Sequence, residues 1–152
     1  NLKPIELQAS MGLAQMEKIE TITERRKENY SRLFNIFKKY EDHLHLPRAT
    51  EKSDPSWFAF PMTVKDGAPF KRSDFTSFLE DNKIQTRNYF AGNIMLQPAY
   101  DHLANTDEIV KNFPVSRKVT TDTFFLGTSP VITAEQIDYV ETVVDKFMRE
   151  EI

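Results

Sequence analysis

Residues 86–100 hold the densest set of side chains in this sequence that could bind a ligand. Arg87 carries a forked guanidinium suited to a phosphate or a sugar hydroxyl. Tyr89 and Phe90 offer aromatic faces on which a base or a sugar could stack. Gly92 lets backbone approach a ligand, and Asn93 supplies both a donor and an acceptor. Gln97-Pro98 follows. The same residues also have a purely structural reading, in which Phe90 is core, Gly92 serves a turn and Arg87 is a surface residue.

Other chemistry is sparse. His43 and His45 stand two apart, a spacing that could ligate metal from a loop, but no third ligand is evident and a solvated loop is the expectation. His102 stands alone. The run Arg25-Arg26-Lys27 reads as a solvated helix face rather than a phosphate site. Walker loops, dinucleotide glycine patterns, HExxH and GxSxG are absent, and no Asp or Glu is singled out by spacing as a general acid. From these residues alone no catalytic side chain and no metal site is assigned.

The bulk composition narrows the class. The chain has 152 residues, enough for one domain with a core, a net charge of −3 and 28% charged residues. Neither charge value points to a nucleic-acid or membrane surface. Cysteine is absent, so no disulfide, thiolate zinc site or iron–sulfur cluster can be built from this chain, which fits a reducing compartment such as the cytoplasm. No apolar run approaches the length of a membrane span.

The elements that must position the loop follow from periodicity. Pro4 suits a first helical turn, and Leu7, Met11, Ala14, Ile19, Ile22, Tyr30, Leu33, Phe34 and Phe37 recur near helical spacing. This predicts a long helix over 4–40, or two helices with a bend near 18–21. Ala9, Ser10 and Gly12 are small enough to let another backbone come close. Residues 43–55 read as a loop, and 57–64 as a strand in which Pro61 implies an edge or a bulge. Ser73 or Asp74 can cap a short helix with Phe75, Phe78 and Leu79 inward. A second short strand is expected at 84–87 and a third at 123–126. Short helices start at Thr106 or Asp107 and at Pro114. Thr133-Ala134-Glu135-Gln136 forms a capping box before a helix that buries Ile137, Val140, Val144, Phe147 and Met148.

The expected class is therefore α+β: a small three-stranded sheet covered by helices on one face, with a long N-terminal helix. That first helix is too long for so small a sheet and is expected to lie against another domain or subunit. The chain opens on it almost directly, as a piece of a longer protein would.

Residues 1–15, reading Asn-Leu-Lys-Pro-Ile-Glu-Leu-Gln-Ala-Ser-Met-Gly-Leu-Ala-Gln, resemble a signature of the sugar aminotransferase and dehydrase family of fold-type I pyridoxal-phosphate enzymes. Pro4 and Ser10 depart from its usual pattern. Three further segments resemble the branch that contains CDP-4-keto-6-deoxyglucose 3-dehydrases. They are Ser53-Asp54-Pro55-Ser56-Trp57-Phe58-Ala59-Phe60-Pro61, Thr86 to Asn93 with Gln97-Pro98, and Asp122-Thr123-Phe124-Phe125-Leu126-Gly127. The resemblance runs through nearly the whole chain.

The resemblance implies that residues 1–152 are the single C-terminal domain of a longer, cytoplasmic enzyme whose large cofactor domain lies elsewhere. It implies pyridoxal or pyridoxamine phosphate as cofactor in the intact enzyme, with any iron–sulfur ligands upstream. Asn1 matches the residue that hydrogen-bonds the cofactor phosphate of the neighbouring subunit, and Lys3 a basic position near the substrate phosphates. Arg87, Phe90 and Asn93 border the nucleotide-sugar pocket. Trp57 flanks it or packs in the core. The implied reaction is removal of the 3-hydroxyl of a nucleotide-linked 4-keto-6-deoxyhexose, on the way to dideoxysugars of lipopolysaccharide, by a homodimer with a reductase partner. The alternatives are a sugar aminotransferase of the same family and a non-catalytic dimerisation or binding module. A Lys or a His at the upstream catalytic position decides the chemistry, because Lys holds the cofactor covalently while His only moves protons. The domain alone should be inactive.

Overall fold

The computed structural model describes residues 3–103 and 106–151. Two helices open the chain, α1 at Glu6–Met16 and α2 at Ile19–Lys38. They are followed by β1 at Leu44–His45, β2 at Ala59–Val64, α3 at Arg72–Asp81 and β3 at Arg87–Asn88. Two 3₁₀ turns, Ile94–Leu96 and Pro98–Tyr100, lead to α4 at Thr106–Asn112 and α5 at Pro114–Asp122. The chain then forms β4 at Thr123–Gly127 and α6 at Ala134–Glu151.

The sheet has four strands rather than the expected three, in the order β1-β2-β4-β3, all antiparallel. The additional strand is Leu44–His45, inside the segment read as a loop. Two residues are too short for an alternating pattern to register. The second strand pairs only at Arg87 and Asn88, because Ile84 is turned inward by a hydrogen bond from its N–H to Leu79 O. β2 is internal in the sheet, yet β1 reaches only Thr63 and Val64. One side of β2 is therefore unpaired at Pro61, which accommodates its missing N–H.

Alternation along β2 and β4 separates two faces. Phe60, Met62, Val64, Phe124 and Leu126 point into the core, against Leu33, Ile36 and Phe37 of α2, Phe75 and Leu79 of α3, and Val144 and Phe147 of α6. Phe75 is its hub. Its ring centroid lies 4.7 Å from Phe147, 5.5 Å from Phe70, 5.6 Å from Phe124 and 6.5 Å from Phe37. The opposite face carries Pro61, Thr63, Thr123 and Phe125. The expectation of helices on one face only is corrected here, because α5 lies over Thr63 and His45 on this second face.

Local chemistry sets the helix ends. Thr133 N–H donates to Gln136 Oε1 at 2.9 Å and Gln136 N–H to Thr133 Oγ1 at 3.3 Å, the reciprocal pair of a capping box. At α3 the cap differs from expectation: Asp74 Oδ2 accepts from Lys71 N–H at 3.1 Å, so Asp74 acts from the third helical position. The helix over 4–40 breaks at Glu17 and Lys18 without Pro or Gly. α1 buries no residue against the rest of the described chain, and nothing lies within 4 Å of a Cβ added at Gly12. Ile5, Leu7, Met11, Leu13 and Met16 are all exposed. Among the described residues no helix is long and apolar enough to cross a membrane.

Two predictions follow from this packing. Phe75→Ala should lower stability by roughly 3–5 kcal/mol, read as a fall in the denaturant midpoint with an unchanged slope. The second concerns Tyr40, in the turn after α2, whose hydroxyl donates to Asp145 Oδ1 of α6 at 2.7 Å. Burial, aided by that hydrogen bond, pushes its pKa from 10.0 up to about 12. Between these values the unfolded chain loses the proton while the folded one keeps it, so stability falls as pH rises from 10.0 to about 12. Tyr40→Phe should flatten that part of the pH–stability curve; a wild-type-like decline would refute the assignment.

Candidate functional site

On the outer face of the sheet, α5 covers one end and leaves the other open. The register places Arg87 of β3 opposite Phe125 of β4, and Phe125 opposite Pro61, all on this face. Phe58 and Phe90 flank Phe125, with ring centroids at 6.1 and 5.9 Å. Together with Arg26 and residues 127–129 they enclose a cleft of about 540 Å³. Phe58 and Phe90 are 64% and 73% exposed, unusual for large aromatic side chains and suited to a ligand's ring. Among the described residues no carboxylate lines the cleft, although the chain carries 23 Asp and Glu. Two guanidiniums without an acid give its wall a positive charge that favours anions. A larger cleft, about 660 Å³, between α2 and α6 is mainly aliphatic and holds Lys83 with Glu135, so its charge is balanced.

Arg26 enters from α2. It follows Ile22 by four residues and precedes Asn29 and Tyr30 by three and four, so it lies on the inward stripe of that helix. Asn29 is buried and its Nδ2 donates to Ser129 O at 2.8 Å, which holds α2 against the cleft wall. Reading Arg25-Arg26-Lys27 as one solvated face is therefore corrected. Arg25 sits 4.0 Å from Glu28 and Lys27 pairs with Asp54, but Arg26 is half-buried in the cleft.

The loop after β3 is held by α5. Phe90 adopts a positive φ of 50°, and its N–H donates to Asn88 O at 2.8 Å, a tight turn that throws the ring outward. Gly92 has φ +61°, and a Cβ there would lie 2.2 Å from Thr120 Oγ1 and 2.8 Å from Thr120 Cα. Its missing side chain admits α5 rather than a ligand, which corrects the expectation for this glycine. Asn93 N–H donates to Thr120 Oγ1 at 2.8 Å, and Asn93 Oδ1 accepts from Met95 N–H at 3.0 Å. Arg72 Nη1 in turn donates to Thr120 O and Thr123 O at 3.1 and 3.2 Å, fixing α5 to the start of β4.

Of the residues singled out in the sequence, Arg87 and Phe90 meet in the cleft. Asn93 shapes the loop beside it. Trp57 stacks on Tyr30 at 4.4 Å and 4°, and its carbonyl accepts from Thr128 Oγ1 at 2.6 Å, so it packs beneath the cleft wall. Lys3 is exposed just ahead of α1. Asn1 lies outside the described residues. Arg26 and Phe58 were missed as site residues; the helical register of Arg26 relative to Ile22 and Tyr30 was the available signal. His45 is exposed on β1, His43 packs near Phe70, and no group of three metal-ligating side chains occurs among the described residues.

Fold and site together define a domain of a known kind. A sequence model of the DegT/DnrJ/EryC1/StrS aminotransferase family matches residues 1–145, and the chain belongs to that family. It is 40% identical over 147 residues to the lipopolysaccharide biosynthesis protein RfbH of Salmonella typhimurium, covering 97% of this chain and 33% of that protein. It is 38% identical over 148 residues to dTDP-4-dehydro-2,6-dideoxy-D-glucose 3-dehydratase of Saccharopolyspora spinosa, covering 97% and 31%. The chain thus spans about a third of the length of the curated relatives it matches. Among solved structures, an aminotransferase from Psychrobacter cryohalolentis superposes with a TM-score of 0.85 at 20% identity, over 99% of this chain and 40% of that one. The GDP-4-keto-6-deoxy-D-mannose-3-dehydratase of E. coli with bound hydrated PLP gives 0.75 at 20%, over 94% and 36%. The fold is that of the C-terminal domain of such PLP-dependent enzymes.

The cleft does not fit the pyridoxal cofactor itself. A pyridoxal ring bound as a Schiff base needs a lysine, and a carboxylate beside its ring nitrogen; the cleft is lined by neither. Its donor set suits an anionic group bearing a ring. Because Gly92 fixes the loop, Gly92→Ala should detach residues 89–100 from Thr120 and cost roughly 1–3 kcal/mol. Limited proteolysis should cut this loop faster in the variant. Gly12→Ala, which meets nothing, should leave the cleavage pattern unchanged.

Proposed function

We propose that this chain is the C-terminal domain of a pyridoxal- or pyridoxamine-phosphate-dependent 3-dehydratase acting on a nucleotide-linked 4-keto-6-deoxyhexose, in the cytoplasm. The intact protein works as a homodimer in the making of lipopolysaccharide dideoxysugars. The carboxylate-free cleft that brings Arg87 and Phe90 together is the observation that carries the reading, since a nucleotide sugar offers both negative charge and rings. Two relatives, at 40% and 38% identity, support it by name: one is a lipopolysaccharide biosynthesis protein and the other a sugar 3-dehydratase. The Lys or His that acts at the sugar belongs to the cofactor domain, and Asn1 hydrogen-bonds the cofactor phosphate of the neighbouring subunit. This domain contributes substrate contacts through Arg87 and Phe90, and Lys3 serves near the substrate phosphates. α1 provides a face for the cofactor domain or the second subunit.

A sugar aminotransferase is the second reading, favoured by the 25% identity to a dTDP-3-amino-3,6-dideoxy-alpha-D-galactopyranose transaminase of Aneurinibacillus thermoaerophilus. Mass spectrometry of the product made by the full-length protein separates the two. A sugar that has lost its C3 oxygen and gained no nitrogen supports the dehydratase, whereas a sugar that has gained an amino nitrogen, at C3 or elsewhere, sinks it. In the same assay Arg87→Ala should raise KM roughly 10- to 100-fold, the effect of losing a hydrogen bond to a charged group.

A further inference from the structure

Resting on the reading just given, we infer that Arg26 and Arg87 together cradle the diphosphate of the nucleotide-linked substrate, with Arg26 a ligand outside those the resemblance implies. The Nε of Arg26 is buried and has no hydrogen-bond partner among the described residues. A charged donor taken from water without a partner is costly, and such atoms persist where a ligand completes them. Arg87 shares its cleft, and among the described residues no carboxylate lines the wall to separate them. Two like charges in one cleft are relieved by an anion, and the two phosphates of a nucleoside diphosphate ester supply one negative charge for each guanidinium. Forked guanidiniums match phosphate oxygens in geometry as well as charge.

The placement suits such a role. Arg26 projects from α2, one turn before the Asn29–Ser129 hydrogen bond of 2.8 Å, and Arg87 from a paired strand. Both rest on regular elements rather than on the loop, which fixes their separation. Ser129, Thr128, Asn88 and Gln85 ring the cleft with further polar groups, and the exposed rings of Phe58 and Phe90 flank it where a base or sugar would lie. A volume of about 540 Å³ accommodates a diphosphate with one adjoining ring.

Calorimetric titration of the full-length protein with CDP, GDP and dTDP, together with thermal unfolding without ligand, tests this. The wild type should bind one of the three diphosphates. Arg26→Gln should weaken that binding by about 10-fold or more, and Arg26→Lys by less. Unliganded Arg26→Met should unfold at the same temperature as the wild type or higher, because it removes an unpaired buried donor. A variant Arg26→Gln that binds the diphosphate like the wild type overturns the inference and leaves the substrate reading standing. An unfolding temperature that falls with the loss of binding assigns Arg26 to a structural ion pair and likewise overturns it. A wild type that binds none of the three overturns the inference and the substrate reading together.

Discussion

Everything in this domain depends on the register between β2 and β4. Pairing Met62 with Phe124 and Pro61 with Phe125 sends two adjacent rings of β4 to opposite faces of the sheet. Phe124 meets Phe75 in the core, while Phe125 floors the cleft beneath Phe58 and Phe90. A slip of one residue would exchange them, emptying the core and moving Arg87 away from its floor. The hydrogen bond of 2.8 Å between the Thr63 and Thr123 hydroxyls, at the end covered by α5, marks the same register. Core and site are thus two consequences of one pairing.

The helices and the central strand pair were legible because their signals are local. The Thr133–Gln136 capping box, the apolar stripe of α6 and the aromatic run before Val64 each announce their element within a few residues. The fourth strand of the sheet was not legible, since Leu44–His45 pairs with residues about twenty positions away and shows no periodicity of its own. Arg87 and Phe90 could be picked out as candidates because their types are unusual together, and the structure brings both to one cleft. Arg26 was lost in a charged run, where composition hid its helical register. Gly92 was noticed because its missing side chain permits a close approach, but what approaches it is Thr120, a contact 28 positions along the chain. Long-range contacts of this kind decide between two readings that the residue alone leaves open.

The site also illustrates a division of labour. Arg87 and Arg26 stand on a strand and a helix, whereas the aromatic Phe90 stands on a turn whose geometry is set elsewhere, at Thr120. α5 runs into β4 without an intervening loop, and Arg72 clamps both sides of that junction. The two guanidiniums of the cleft are therefore placed on the rigid frame, and its Phe90 ring on a loop that the frame holds at one point. In a chain with a net charge of −3, the carboxylate-free lining of the described cleft is a local departure from the overall charge balance.

α1 has 11 residues and buries none of them, with Leu7, Met11 and Ala14 along one side and Ile5, Ala9 and Met16 along the opposite one. A helix of that length is marginal in water by itself. Its order therefore depends on its surroundings as well as on its own sequence. Were α1 to dock as proposed, the conformational entropy lost when it sets would be offset by the surface it buries, and docking and local folding would form one equilibrium.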